Sequence, residues 1–152
     1  MGFPFMQGQL LKDERAEIGG AASWGTSTTG NWYNVGNADV PARLLAIAYT
    51  PPVSGYVDFN INIGITSDTA NQRFMMRMLD NYPGGNQLEP LFYGHIYAAN
   101  NRYSYPWEFS VPIVADTAYY FIVQIQLISA GALTVYRESL YTRLDMRAHA
   151  NP

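Results

Sequence analysis

Two histidines, His95 and His149, are the only imidazoles in the chain. Acid–base, nucleophilic or metal chemistry at neutral pH would draw on them first. His95 lies between Tyr93 and Tyr97 in a strand-like run, and His149 lies in the C-terminal tail. Neither has a carboxylate at the spacing of a helix-borne metal site or of a triad-orienting acid. His95 therefore reads as a structural or surface residue. The serines include no Gly-x-Ser-x-Gly elbow. Asp68, Asp80 and Asp116 fall in loops or at strand edges, where carboxylates usually cap turns. A pair of them across a cleft would suit glycoside hydrolysis, but sequence does not set their separation. Gly84-Gly85 lacks the lysine and the following helix of a phosphate-cradling loop. With no cysteine, thiol catalysis and thiolate metal sites are excluded. The expectation is no catalytic residue, no metal and no cofactor, hence not an enzyme.

A second group of side chains suits recognition rather than reaction. Asn100, Asn101, Arg102, Tyr103, Tyr105 and Trp107 combine amides and a guanidinium with flat rings within a few residues. Glycan-binding sites use that mixture, and so do protein interfaces. For Tyr105 and Trp107 a core or interface role outweighs a glycan platform. A third group is apolar and sits at the N-terminus: Phe3, Phe5, Met6, Leu10 and Leu11. Left in water they would be costly, so the segment carrying them is expected to dock, on its own domain or on a neighbour.

The elements that hold these groups are strands. In the run from Val57, the side chains of Val57, Phe59, Ile61 and Ile63 share one face, and Asp58, Asn60 and Asn62 share the other. A period of two is that of a half-buried antiparallel strand. Similar runs recur over residues 31–35, 43–49, 72–79, 91–98, 107–114, 118–128, 132–137 and 139–147. In these, Phe74, Met76 and Met78 share a face, as do Phe121, Val123, Ile125 and Leu127, and Leu140, Leu144 and Met146. Turns are marked by Pro51-Pro52, by Gly131 and by Pro83-Gly84-Gly85, the last within a long exposed hairpin loop over residues 80–89. Eight or nine strands at short spacing predict an all-β antiparallel sandwich or jelly roll. Residues 9–18 are the one plausible helix, stopped by Gly19-Gly20, and residues 21–30 read as an extended linker. The division predicted is an N-terminal arm and linker over 1–30, a sandwich over 31–148 and a tail over 149–152.

Composition narrows the partners. The formal net charge is −3, with one lysine, Lys12, against eight arginines. No basic stripe exists to neutralise phosphates, so nucleic acid is not an expected partner. No apolar run approaches a membrane span, and the N-terminus lacks the basic and apolar regions of a secretory signal. Twelve tyrosines and three tryptophans suit strands and also suit interfaces. The outer face of the 118–128 run mixes Tyr120 and Ile122 with Gln124 and Gln126, with less charge than a monomer's exposed strand usually carries.

The order Asn31-Trp32-Tyr33, the run from Leu44 to Tyr49 with Pro52 and Gly55, the Phe59 strand, the His95/Tyr105 segment, and the Tyr119 to Tyr136 hairpin resembles small jelly-roll domains of bacteriophage virion proteins. These are capsid decoration (cement) proteins and fibre heads, often trimers of tumour-necrosis-factor-like or C1q-like sandwiches. The resemblance covers about residues 31–147. It implies a homotrimer on the virion surface, bound to the major capsid protein and stabilising the head, with Phe3, Phe5, Met6, Leu10 and Leu11 as the capsid-contact arm. The alternative it implies is a receptor- or glycan-binding fibre head. No heptad or collagen-like stalk accompanies the domain, which favours the capsid-surface protein.

Overall fold

The computed structural model describes residues 8–18, 24–27, 29–36, 44–82, 84–138 and 140–151. All regular elements among them are strands: β1 (Leu10–Ala16), β2 (Trp24–Thr26), β3 (Tyr33–Asn34), β4 (Ala46–Tyr49), β5 (Gly55–Ser67), β6 (Gln72–Asn81), β7 (Gly84–Ile96), β8 (Tyr103–Ile113), β9 (Tyr119–Leu127), β10 (Leu133–Val135) and β11 (Arg143–Ala150). They form two antiparallel sheets, here named A and B, as the alternation predicts.

Sheet A is organised around β5. One edge of β5 pairs with β8 along its length, from Gly55↔Ile113 to Ile65↔Tyr103. Its other edge takes β11 and then β10, end to end. Outside these lie β1 on β11 and β2 on β10. Sheet B runs β7-β6-β9, with β3 and β4 end to end along the far edge of β9. The core lies between the sheets. Val57, Phe59, Ile61, Ile63 and Ile65 of β5 face Phe74, Met76 and Met78 of β6 and Phe121, Val123, Ile125 and Leu127 of β9, all buried. The edge of Phe59 meets the Phe121 ring at 4.9 Å between centroids. Gly94 of β7 leaves room for the Phe74 ring, whose Cζ lies 2.1 Å from where a Cβ would stand.

Several boundaries differ from the sequence expectation. Residues 9–18 are not a helix. Leu10–Ala16 is strand β1, because the open edge of β11 supplies the hydrogen bonds that so short a helix could not keep in water. Leu11, Ala16 and Ile18 turn to the core, Ile18 fully, while Asp13 and Arg15 stand outside opposite Arg147 and Asp145. The stretch expected as linker contains β2, held by β10, and Thr29 bridges Leu127. The hairpin over 80–89 is no long loop, since β6 runs to Asn81 and β7 starts at Gly84. Tyr103 already belongs to β8, so Tyr103, Tyr105 and Trp107 all stand on one strand. The last strand is shifted to Arg143–Ala150, which brings His149 into the sheet and leaves Leu140 outside, 72% exposed.

Candidate functional site

The outer faces of the two sheets differ in chemistry. On sheet A, β1, β11, β5 and β8 present Asp13, Arg15, Asp145, Arg147, Asp58, Asn60, Glu108 and Ser110 around an open trough of about 860 Å³. Its charges are largely paired within the chain. Arg15 donates to both oxygens of Asp145, at 2.5 and 3.0 Å. Arg147 lies 3.6 Å from Asp13, and His149 lies 3.7 Å from Asp58, which also accepts from the Ser110 hydroxyl. These are solvated pairs of the kind that fix little energy.

Sheet B presents a different surface. Its outer positions include Arg73, Met75, Arg77 and Leu79 on β6, Tyr120, Ile122, Gln124 and Gln126 on β9, and Tyr93 and His95 on β7, with Tyr97 just beyond that strand. Leu79 and Ile122 are buried on this outer side with Leu44, and Ala46 and Tyr82 pack against them. Tyr93 and Tyr97 are each 66% exposed. His95 stacks on Tyr97 at 4.2 Å, and its Nε2 stands 3.4 Å from Asn71 Oδ1. Arg77 lies across the Trp32 ring at 4.2 Å and donates through Nε to Gln124 Oε1 at 2.9 Å. Gln124 in turn donates to Asn34 Oδ1 at 2.8 Å. Burial pulls the Arg77 guanidinium below its ordinary range.

The six residues singled out for recognition, Asn100 to Trp107, are not brought together. Trp107 is buried against Phe92 and Phe109. Tyr105 turns inward, edge-on to Phe74, and its hydroxyl donates to the His95 carbonyl. Tyr103 is half-buried and accepts from the Ala98 N–H at 3.0 Å. These three alternate along β8, so one side of the strand carries them all into the sandwich. Asn100 and Asn101 stay exposed at the turn, where the Asn100 N–H donates to the Ser67 carbonyl at 2.7 Å and φ is 62°. Arg102 folds over the Tyr136 ring at 3.7 Å and reaches Tyr141 at 5.2 Å. Neither Tyr105 nor Trp107 offers an open ring face, and the face of Tyr136 is covered by Arg102.

Of the apolar N-terminal residues, Phe3, Phe5 and Met6 lie outside the described residues. Leu11 packs against the core, and Leu10 is 48% exposed. The segment starts at one pole of the sandwich, where the Gly8 N–H donates to the Ala150 carbonyl at 3.2 Å. Asp68, Asp80 and Asp116 lie apart in function. Asp68 accepts from the Ala132 N–H and the Thr69 hydroxyl, both at 2.8 Å, which hold its carboxyl below the usual range. Asp80 accepts from the Asn86 N–H at 2.7 Å, and Asp116 adopts a left-handed turn with φ 59°. Among the described residues no three His, Asp or Glu side chains cluster as a metal site would require. Sequence reasoning did not single out Arg77, Trp32 or Tyr93. The signal was an arginine between Met75 and Leu79 on a strand face that a solvated sheet would fill with charge.

Two antiparallel sheets packed around one core, with strands exchanged across the sandwich, define a β-sandwich of the jelly-roll type. No protein-family model matches the chain, and no curated protein matches it in sequence. Solved structures match it in fold. It is similar to Eiger TNF from S. frugiperda, with a TM-score of 0.60 at 6% identity over 95% of this chain and 96% of that one. It is also similar to a chain of infectious bursal disease virus Gt strain, with a TM-score of 0.58 at 7% identity over 91% of this chain and 32% of that one. A chain of the T=1 particles derived from infectious bursal virus gives 0.58 at 6% identity, over 91% and 31%. The chain thus spans about a third of the length of those two viral chains. At such identities the likeness is one of fold.

Proposed function

We propose that the chain is a structural virion protein, a capsid decoration protein that sits on a bacteriophage head as a homotrimer and holds the major capsid protein in place. The observation that carries this reading is the contrast between the two outer faces. Sheet A is polar and internally paired. Sheet B exposes Tyr93 and Tyr97 toward one end and carries a cluster of Leu44, Leu79 and Ile122 on its outer side toward the other. A face of that composition is an interface in search of a partner. A fold that also builds tumour necrosis factors and viral particles supports an assembling role. The apolar residues Phe3, Phe5 and Met6 precede the Gly8 anchor and serve in this reading as the capsid grip. Stabilisation would then be mechanical: apolar area buried between neighbours resists the pressure of packaged DNA, and His95, Asp68 and Asp116 carry no reaction. The glycan-binding alternative draws less support, because Tyr105 and Trp107 turn inward and Arg102 covers Tyr136.

Light scattering on the isolated protein and mass-spectrometric copy number on purified particles test the reading together. The expected result is a trimer present in hundreds of copies per particle. A monomer in both settings, or a few copies per particle, overturns it. Deleting residues 1–7 is expected to lower occupancy on particles while leaving the β circular dichroism unchanged; full occupancy would remove the arm from the mechanism.

A further inference from the structure

The outer face of sheet A changes character along its strands. Cross-strand pairing sets its side chains in rows, one residue from each strand. Two rows of charged and amide side chains, through Asp58 and Asn60, floor the trough. The row beside them, nearest the pole where Gly8 meets Ala150, is apolar and flat-ringed. Leu10 of β1 pairs with His149 of β11, His149 with Tyr56 of β5, and Tyr56 with Pro112 of β8. The Tyr56 and His149 rings stack at 5.0 Å. Val114 follows the end of β8 and extends the row beyond Pro112. Leu10 is 48% exposed and Val114 60%, and Pro112 is exposed too. One residue from each of four strands makes a strip about 14 Å long that crosses the strands rather than following them. So narrow a strip, bordered by charge, fits a ridge and not a broad face.

The chain before Gly8 starts at the β1–β11 end of this strip. The Gly8 N–H donates to the Ala150 carbonyl at 3.2 Å, and the Gly8 carbonyl lies 3.4 Å from His149 Nδ1. Seven residues precede it, Phe3, Phe5 and Met6 among them, with an extended reach of about 25 Å. The apolar residues given above to the capsid grip are thus rooted beside exposed apolar side chains of the folded domain. Tyr93 and Tyr97 belong to the other sheet, so the strip is a second surface.

We propose that this strip is the part of the folded domain that seats on the capsid, against an apolar ridge of the major capsid protein, and that residues 1–7 extend the same contact. This rests on the decoration reading above. The segment which that reading gives to the shell begins at the strip, so a shell held by Phe3, Phe5 and Met6 is within reach of Leu10. Tyr56 and His149 are stacked and half-buried before any contact, so seating costs them little further ordering.

The test adds full-length variants back to particles assembled without the protein. Leu10→Asp and Val114→Asp, at the two ends of the strip, should each lower affinity for the particles about tenfold. Leu140→Asp, 72% exposed before the far end of β11, should bind like the parent. Thermal melts check folding. Because the chain has no cysteine, Val114→Cys carries a single photoreactive label and reports even if an aspartate variant fails to fold. Irradiation on particles should join position 114 to the major capsid protein, and a label on Leu140→Cys should not reach it. Parent-like binding by both aspartate variants, or adducts from position 114 only to copies of this chain, overturns the seat and leaves the decoration reading standing. Loss of the trimer in an aspartate variant with an unchanged melt makes the strip a contact between copies and overturns the seat as well. A parent protein that does not bind particles overturns both readings.

Discussion

Ile18 decides whether the start of the chain is a separate arm or part of the sandwich. It follows β1 directly, is 2% exposed, and belongs to the same core as Val35 and Leu144. If residues 10–18 hung outside the domain, shortening this side chain would leave stability untouched. Buried as it is, Ile18→Ala removes three methyl or methylene groups from a packed interior and leaves a space that neighbours fill only in part. Such truncations cost about 2–5 kcal/mol. A domain of this length loses roughly 2–4 °C of melting temperature per kcal/mol, so the expected drop is about 4–20 °C. The control lies in β1 itself: Leu10 is 48% exposed, and Leu10→Ala should shift the melt little. Urea titration followed by circular dichroism and tryptophan fluorescence gives the free energies, with the slope expected to be common to all three proteins. An Ile18→Ala midpoint indistinguishable from the parent, beside a β spectrum that is unchanged, would refute the placement of β1 in the domain.

Thr142→Val should cost about 1–3 kcal/mol in the same titration, because the fully buried Thr142 hydroxyl accepts the Gly64 N–H at 3.0 Å and valine leaves that donor unpaired. Gly94→Ala should cost about 1–3 kcal/mol through overpacking against the Phe74 ring, and Phe74→Leu in that background should be less harmful than in the parent. Asp68 has a carboxyl pKa lowered in the folded state, first by the Ala132 N–H and then by the Thr69 hydroxyl. Its contribution is therefore present above the ordinary value of 3.8 and is lost as pH falls through the lower folded value. Asp68→Asn should flatten the loss of stability below about pH 4 and leave the neutral-to-alkaline limb unchanged; an unaltered acid limb would count against those two bonds.

Strand content was legible because burial follows the period of two so closely in β5 and β9. Val57, Phe59 and Ile61 could face only one way once Asp58, Asn60 and Asn62 had to meet water. Residues 9–18 misled because their charges hide the alternation. Lys12 and Asp13 stand together outside while Leu11 and Ala16 turn in, after a register shift between Leu10 and Lys12. A strand whose hydrogen bonds come from the other end of the chain leaves no local mark. Trp107 and Tyr105 suggested recognition by type, and only the position of β8 at the mouth of the sandwich turns them into core. Arg77 escaped for a different reason: its partners Trp32 and Gln124 come from distant parts of the chain, a meeting that no single stretch of sequence displays.

β1 lies against β11, and the backbone of Gly8 reaches Ala150 and Asn151. The first and last strands therefore leave the domain side by side at one pole. A sandwich with adjoining ends can be spliced into a surface loop of a host protein without stretching either chain, and it can be cut open at a hairpin and rejoined through Gly8 and Asn151 by a few residues. The tip between β6 and β7, near Tyr82 and Gly84, is a natural place for the cut. Display of a foreign peptide there, or at the joined pole, would leave the strand pairing of both sheets intact.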